Sequence, residues 1–387
     1  MPKQEREKIT VLFVCIDHTL GGSTLSLYDL IESIRSKIDP IVLFPKVGVG
    51  YEFFINHGIE CLVQPFVKLY CFRTNKLIDV WHHPWRWHRI KKIRIDLGCA
   101  LNVKKKLKRR KIDIVHTNTS PNNVGIYLSS ILRAKHVWQV RECLDAHAKY
   151  SIYGGMPHLI RQINNADARI AISTYVKDHW RMVNYNTFLV YDAVCHKNDS
   201  VCLFPKDKYV LFISYNVTEA KGGRKAVRAF GESRLNEDGY RLVLLGNCND
   251  EYRASLIDTG KEYHCENALV FVPCQHDVKP FFERASAFIM ASENEGLGRV
   301  TAEAMFYGCP VIAHASGGTL DIVKDGETGY LFRTVEECAA LLRRVCFSRT
   351  ESMVLHAQKF AVDNLSQEVF GPKVIEVYRA VLKDRLA

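Results

Sequence analysis

Residues 292–332 read SENEGLGRVTAEAMFYGCPVIAHASGGTLDIVKDGETGYLF. The stretch follows SAFIMA (286–291), a short apolar run with the length of a buried strand. A loop holding Glu295, Gly296, Leu297 and Gly298 comes next, and the spacing then predicts a helix from about Arg299 to Tyr307. Gly308 closes that helix and Pro310 lies just beyond, an ordinary helix stop. PVIAHA (310–315) is the next strand, and it leads to a second glycine pair, Gly317–Gly318. Strand, glycine loop, helix and strand make one unit of a parallel sheet, in which ligands sit beyond the carboxyl ends of the strands.

The residue types in that loop suit a sugar nucleotide. Gly296 and Gly298 let the backbone approach a ligand closely. The start of the helix, at Arg299, aims free N–H groups and the positive end of its dipole at a diphosphate. Glu295 lies just before the helix and Glu303 in its second turn. A carboxylate accepts two hydrogen bonds, so each suits a pair of sugar hydroxyls.

The same alternation recurs along the chain. VLFVCI (11–16), PIVLF (40–44), IDIVHTN (112–118), HVWQV (136–140) and ARIAIS (168–173) read as strands of a first series. Helical stretches lie between them, such as the one where Leu25, Tyr28, Ile31 and Ile34 share a face. YVLFIS (209–214), RLVLLG (241–246), ALVFVP (268–273) and the two strands above form a second series. Residues 195–208, polar and weakly patterned, read as the linker. The fold class is therefore α/β, with two Rossmann-like, doubly wound parallel-sheet domains at about 1–195 and 205–368 and ligands in the cleft between them. A length of 387 residues agrees with two domains at about 100–200 residues each.

Composition narrows the classes further. Apolar residues make up 47% and charged residues 25%, which excludes a disordered or collagen-like chain. No apolar run approaches the roughly 18 residues that span a bilayer, and the polar start MPKQEREKIT has no signal-peptide core. The expected location is cytoplasmic. The 13 cysteines include no CxxC pair and no zinc-ligand spacing, so they read as reduced thiols, mostly small core residues.

The net charge is +11, and all of it sits in one place. Residues 86–111 carry 12 Lys/Arg and a single acid, Asp96, so the remainder of the chain is balanced. Trp81, Trp85 and Trp87 stand beside this segment. Tryptophan next to Lys/Arg is typical of an interfacial membrane segment. The expectation is peripheral binding of 81–111 to an anionic membrane surface. Nucleic acid is not the expected partner, because no helix-turn-helix, OB or RRM pattern accompanies the charge. A dinucleotide dehydrogenase is not expected either, because the first βα turn, CIDHTLGGS (15–23), lacks GxGxxG.

The string 292–332 resembles the donor-binding signature of the retaining GT-B glycosyltransferases of family four (glycosyl transferases group 1). The signature's two glutamates correspond to Glu295 and Glu303, followed by Glu303–Met305, Gly308–Ala313 and Gly317–Gly318. Gly21 and Gly22 fit the family's first βα turn, and residues 369–387 resemble its last helix, which packs back on the N-terminal domain. The family's first loop in the C-terminal domain carries an Arg and, five residues on, Lys-Gly. Here Lys221–Gly222 is kept and Asn216 stands at the Arg position, with Arg224, Arg299 or Arg141 as possible substitutes.

The resemblance implies a GT-B fold, no cofactor and no metal. It also implies transfer of a sugar from a nucleotide-sugar donor, a UDP-sugar first, to a hydroxyl of a glycan or lipid-linked acceptor, as in polysaccharide biosynthesis. Lys221 and Glu295 would be catalytic, one on the diphosphate and the other on the sugar. Gly21, Gly22, Asn216, Gly222, Gly296, Leu297, Gly298, Arg299 and Glu303 would line the donor site, with Glu303 on the ribose. Asn118, Arg141 and His147 follow strands of the acceptor-binding N-terminal domain and are candidates for acceptor or phosphate, with His116 also expected to face the cleft. The missing Arg leaves a second reading open: a glycosyltransferase-like subunit that binds sugar or a partner without catalysis.

Overall fold

The computed structural model describes residues 8–72, 85–143, 150–152 and 154–383. The chain divides into two compact units, Met1–Ala193 with Phe370–Ala387, and Val194–Val369.

The first unit contains β1 (Ile9–Val14), β2 (Ile38–Phe44), β3 (Glu60–Val63), β4 (Tyr70–Phe72), β5 (Ile114–Thr117), β6 (Lys135–Val140), β7 (Tyr150–Ile152), β8 (Ala168–Ala171) and β9 (Thr187–Leu189). Seven of them form a sheet in the order β3-β2-β1-β5-β6-β8-β9, and every pair in it is parallel. β4 and β7 pair separately and antiparallel.

Strand alternation sends Val11 and Phe13 to one face and Leu12 and Val14 to the other. The first face packs on Leu27, Leu30, Ile31 and Ile34 of the helix Gly22–Ile34, and on Phe370, Val374 and Tyr378 of the last helix, Gln367–Lys383. The opposite face packs on Cys99, Ala100, Val103 and Leu107 of the helix Trp85–Leu107.

The second unit contains β10 (Asp207–Asn216), β11 (Arg241–Asn247), β12 (Leu269–Val272), β13 (Ala285–Met290), β14 (Val311–His314) and β15 (Tyr330–Phe332). Their order is β12-β11-β10-β13-β14-β15, again all parallel. Counted within each unit, the main-sheet strands follow the 3-2-1-4-5-6 order of a doubly wound sheet, and the first unit adds a seventh strand.

Residues 195–208 are not a loose connection. Val194 N donates to Leu365 O at 3.1 Å, Val201 N to Phe306 O at 3.2 Å, and Gln367 N to Cys195 O at 3.0 Å. Gln358 Nε2 bonds both Val201 O at 2.7 Å and Phe306 O at 2.8 Å. A polar sequence reads as a linker, but here its backbone groups find partners in the second unit, and Asp207 already belongs to β10. Among the described residues no helix is long and apolar enough to cross a membrane.

Candidate active site

In the second unit the chain leaves β10 towards β11 on one side and β13 towards β14 on the other. Loops beyond that reversal point bound the place where ligands bind in such sheets. The loop after β10 ends in a tight turn, Glu219–Lys221, followed by Gly222 in the left-handed region at φ +81°. A Cβ on Gly222 would lie 2.6 Å from the carbonyl oxygen of Ala291 and 2.7 Å from its Cβ. Only glycine lets the two loops touch there, and the touch sets Lys221 beside Glu295. Lys221 Nζ donates to Glu295 Oε1 at 2.7 Å. One helical turn later Lys225 pairs with Glu293, whose carboxyl it holds below the usual range, chiefly by its hydrogen bond. His314, at the end of β14, stands 3.8 Å from the same carboxylate. Burial lowers its pKa.

The second glycine pair braces this loop from behind. Gly318 N donates to Glu295 O at 2.8 Å, and Asn294 N to Ser316 Oγ at 3.1 Å. A Cβ on Gly318 would fall 2.0 Å from Gly296 O, and one on Gly317 2.6 Å from Glu295 O. The pair therefore contacts the backbone of the Glu295 loop.

The helix occupies Arg299–Phe306, one residue short of the expected end, with Tyr307 as its C-cap. Gly298 begins it without a side-chain cap. Leu297 is buried and anchors the loop to the interior. Sequence reading missed three hydroxyls at this place. Ser292, Thr301 and Thr319 are buried, and none has a protein hydrogen-bond partner. Thr301 Oγ1 and Thr319 Oγ1 lie 3.3 and 3.4 Å from where a Cβ on Gly298 would stand.

Asn216 is exposed at the end of β10, in register with Asn247. Arg224, one of the expected substitutes for the missing Arg, is engaged within its own unit. Its guanidinium is held by Glu219 at 3.0 Å, Thr259 at 2.9 Å and Ser255 at 3.3 Å. Arg299 and Glu303 are half-buried on the helix. The charges of both act on Cys195, whose thiol burial pushes up to about 12. Among the described residues no group of three or more His, Cys, Asp or Glu is placed to hold a metal ion.

Two family models divide the chain between them. Residues 20–186 match Glycosyltransferase Family 4, and residues 197–355 match Glycosyl transferases group 1. The chain belongs to the GT-B glycosyltransferases of family four.

N-acetyl-alpha-D-glucosaminyl L-malate synthase of Bacillus anthracis is 22% identical over 312 residues, 75% of this glycosyltransferase and 80% of that protein. D-inositol 3-phosphate glycosyltransferase of Acidothermus cellulolyticus is 28% identical over 201 residues, 47% of this chain and 43% of that one. Among solved structures, Anabaena HepE in complex with UDP superposes with a TM-score of 0.78 at 18% identity, covering 96% of this chain and 100% of that one. Sucrose-phosphate synthase from Thermosynechococcus elongatus gives 0.72 at 16% identity, covering 97% and 100%.

In the first unit of the glycosyltransferase, Gly21 is the N-cap of the helix Gly22–Ile34. Gly22 has open space at its Cβ position. Arg141 and Asn118 are brought together, but in the interior. Arg141 forms a buried ion pair with Asp192, and its Nη1 also donates to Ser26 Oγ at 2.8 Å. Its Nη2 donates to Asn118 Oδ1 at 3.0 Å, and Asn118 Nδ2 donates to Ser23 O at 3.0 Å. Arg141 is thus engaged on every side and is no open phosphate cation.

His116 turns inward, with Nδ1 2.7 Å from Tyr378 Oη and Nε2 3.0 Å from Gln139 Oε1. Burial, then the Arg141 charge, push its pKa down to about 3. The expectation that it faces the cleft fails because the alternation of β5 points it at the last helix. His147 lies outside the described residues. Sequence reading also missed Thr119, Asn122 and Asn123, which carry buried polar atoms without a protein partner.

Proposed function

We propose that this glycosyltransferase moves a sugar from a nucleotide-sugar donor, a UDP-sugar first, to a hydroxyl of a glycan or lipid-linked acceptor, with retention at the anomeric carbon. The observation that carries the reading is the contact of Lys221 with Glu295 at the reversal point of the second sheet. A cation there neutralises charge growing on the leaving diphosphate, and the carboxylate orients sugar hydroxyls. Gly222, Gly296, Gly298 and the start of the helix at Arg299 line the same place, and Glu303 would hold the ribose. The unpaired hydroxyls of Thr301 and Thr319 suit ligand oxygens or a bound water, since buried polar groups seek partners. Anabaena HepE has been solved with UDP-glucose, which supports uridine as the first base to try.

Retention without a carboxylate nucleophile calls for attack on the same face from which the diphosphate leaves. The leaving phosphate takes the acceptor proton while the site stabilises an oxocarbenium-like state. The reading requires no cofactor, because Lys221 and the helix start supply the positive charge. The first unit would bind the acceptor, with Thr119, Asn122 and Asn123 supplying unpaired polar atoms. A lipid-linked acceptor would be met at an anionic membrane surface, through the cationic segment. A panel of nucleotide sugars in a thermal-shift assay tests the donor, and NMR of the product anomer tests retention. An inverted anomer, or no shift with any nucleotide sugar, overturns the reading. The exposed Asn216, which brings no cation, favours the second reading of a binding subunit, and donor hydrolysis by the pure protein decides between the two.

A further inference from the structure

The helix Trp85–Leu107 has three faces, and one of them meets no counterpart among the described residues. Lys92, Asp96, Cys99, Ala100, Val103 and Leu107 are buried. Asp96 fixes that orientation by accepting from Val67 N at 3.1 Å. Ile90, Ile93, Leu97 and Leu101 are 46%, 38%, 40% and 53% exposed. Their spacing of three, four and four residues places them in one stripe, about 16 Å long at 1.5 Å per residue. Lys91, Arg94, Lys104 and Lys105 are exposed around that stripe. Four aligned aliphatic side chains in water are not scattered surface apolar residues; contiguous patches of this kind mark contact sites.

We propose that the stripe Ile90–Ile93–Leu97–Leu101 is the face by which the helix lies in an anionic lipid surface, aliphatic side chains at the acyl boundary and the flanking cations on the headgroups. The proposal rests on the membrane-surface acceptor reading above and assigns it to residues. Charge selects the occupant. The segment 86–111 carries 12 Lys/Arg against Asp96, so a second copy laid on this face would bring two cationic segments together. An anionic bilayer complements both the charge and the apolar stripe. Not every cation is available for this. Arg110 is held by Asp39 and Glu60, Lys106 Nζ donates to Val63 O at 3.2 Å, and Lys92 is buried.

The test is sedimentation of the full chain with vesicles of zwitterionic lipid alone, or mixed with anionic phospholipid, at low and high salt. Wild type should bind only the anionic vesicles, and a fraction should resist salt because aliphatic burial is not screened. Arg94→Gln with Lys104→Gln and Lys105→Gln should weaken low-salt binding by about tenfold or more. Ile93→Ser with Leu97→Ser and Leu101→Ser should remove the salt-resistant fraction. Circular dichroism checks that each variant is folded, and should find them so because all six side chains are exposed. Equal binding to both vesicle types, no binding, or an unchanged salt-resistant fraction in the serine variant overturns the proposal. So does a concentration-dependent dimer in analytical ultracentrifugation that the serine variant abolishes. Hydrolysis of free donor should persist in every variant. Its loss in wild type would instead strike the transfer reading, so the two failures are distinguishable.

Discussion

Lys221 and Glu295 meet where both side chains are partly exposed, 40% and 21%. Such a pair contributes about 0–1 kcal/mol to stability. Lys221→Ala and Glu295→Ala should therefore fold, and each should lower turnover about ten- to a thousandfold, the scale of lost transition-state electrostatics. Steady-state transfer together with thermal melting checks both halves, and unchanged turnover would refute the assignment. Glu303→Ala should chiefly weaken nucleotide binding, since the ribose lies away from the reacting carbon. Arg141 and Asp192 make the same kind of contact in the interior. Asp192→Ala leaves a buried guanidinium uncompensated and should cost about 3–5 kcal/mol, read as a large drop in melting temperature.

His116 carries a pH signature. Its folded pKa of about 3, and that of about 4 for His136, lie below the ordinary 6.5. The unfolded chain therefore takes up protons first. The stability due to these residues is complete above pH 6.5 and is lost as pH falls, at up to about 1.4 kcal/mol per unit for each. Asp96, raised to about 6 by burial, acts in the opposite sense as pH falls from there towards 4. His116→Gln should flatten the fall of melting temperature between pH 6.5 and 4, and an identical slope in the variant would exclude His116 as a source.

Among the elements, the loops that carry Lys221 and Glu295 were largely legible because their spacing is local. Glycine, carboxylate and helix start follow one another within a few residues of the chain. Long-range partners were not. Nothing in the sequence ties Arg141 to Asp192, or His116 to Tyr378 262 positions away. The edge strands β3, β9 and β15, of three or four residues, are too short to show a period. The aliphatic stripe stayed hidden because Lys and Arg are interspersed with the aliphatic residues of the helix Trp85–Leu107, and Lys92 and Asp96 lie on its buried face, which blurs any single amphipathic pattern. The bracing role of Gly317–Gly318 was also invisible, since it depends on backbone contact between loops about twenty residues apart. It is testable. Gly318→Ala puts a Cβ 2.0 Å from Gly296 O and should displace the Glu295 loop. Donor affinity measured by calorimetry should fall at least tenfold, a loss typical of slightly misplaced catalytic groups.

In the chain as a whole, the last helix completes the core of the first unit. Phe370, Val374, Ile375, Val377, Tyr378 and Val381 are buried in its core. At about 1.5–3 kcal/mol for each buried side chain, they supply on the order of 10 kcal/mol. That equals the net stability of a typical domain. A chain stopped after Val369 should lose the thermal transition of the first unit, and differential scanning calorimetry reads this directly. Retention of both transitions would show the helix to be dispensable.

The same division of the chain sets an order on biosynthesis. Residues 1–193 emerge from the ribosome first, yet their sheet waits for Phe370 and its successors, which are translated after all of Val194–Val369. At about 5–20 residues per second the wait is on the order of ten to thirty-five seconds. Throughout it the sheet face that Tyr378 will cover stays open to chaperones and to neighbouring nascent chains. The unit made second is the first that can finish folding.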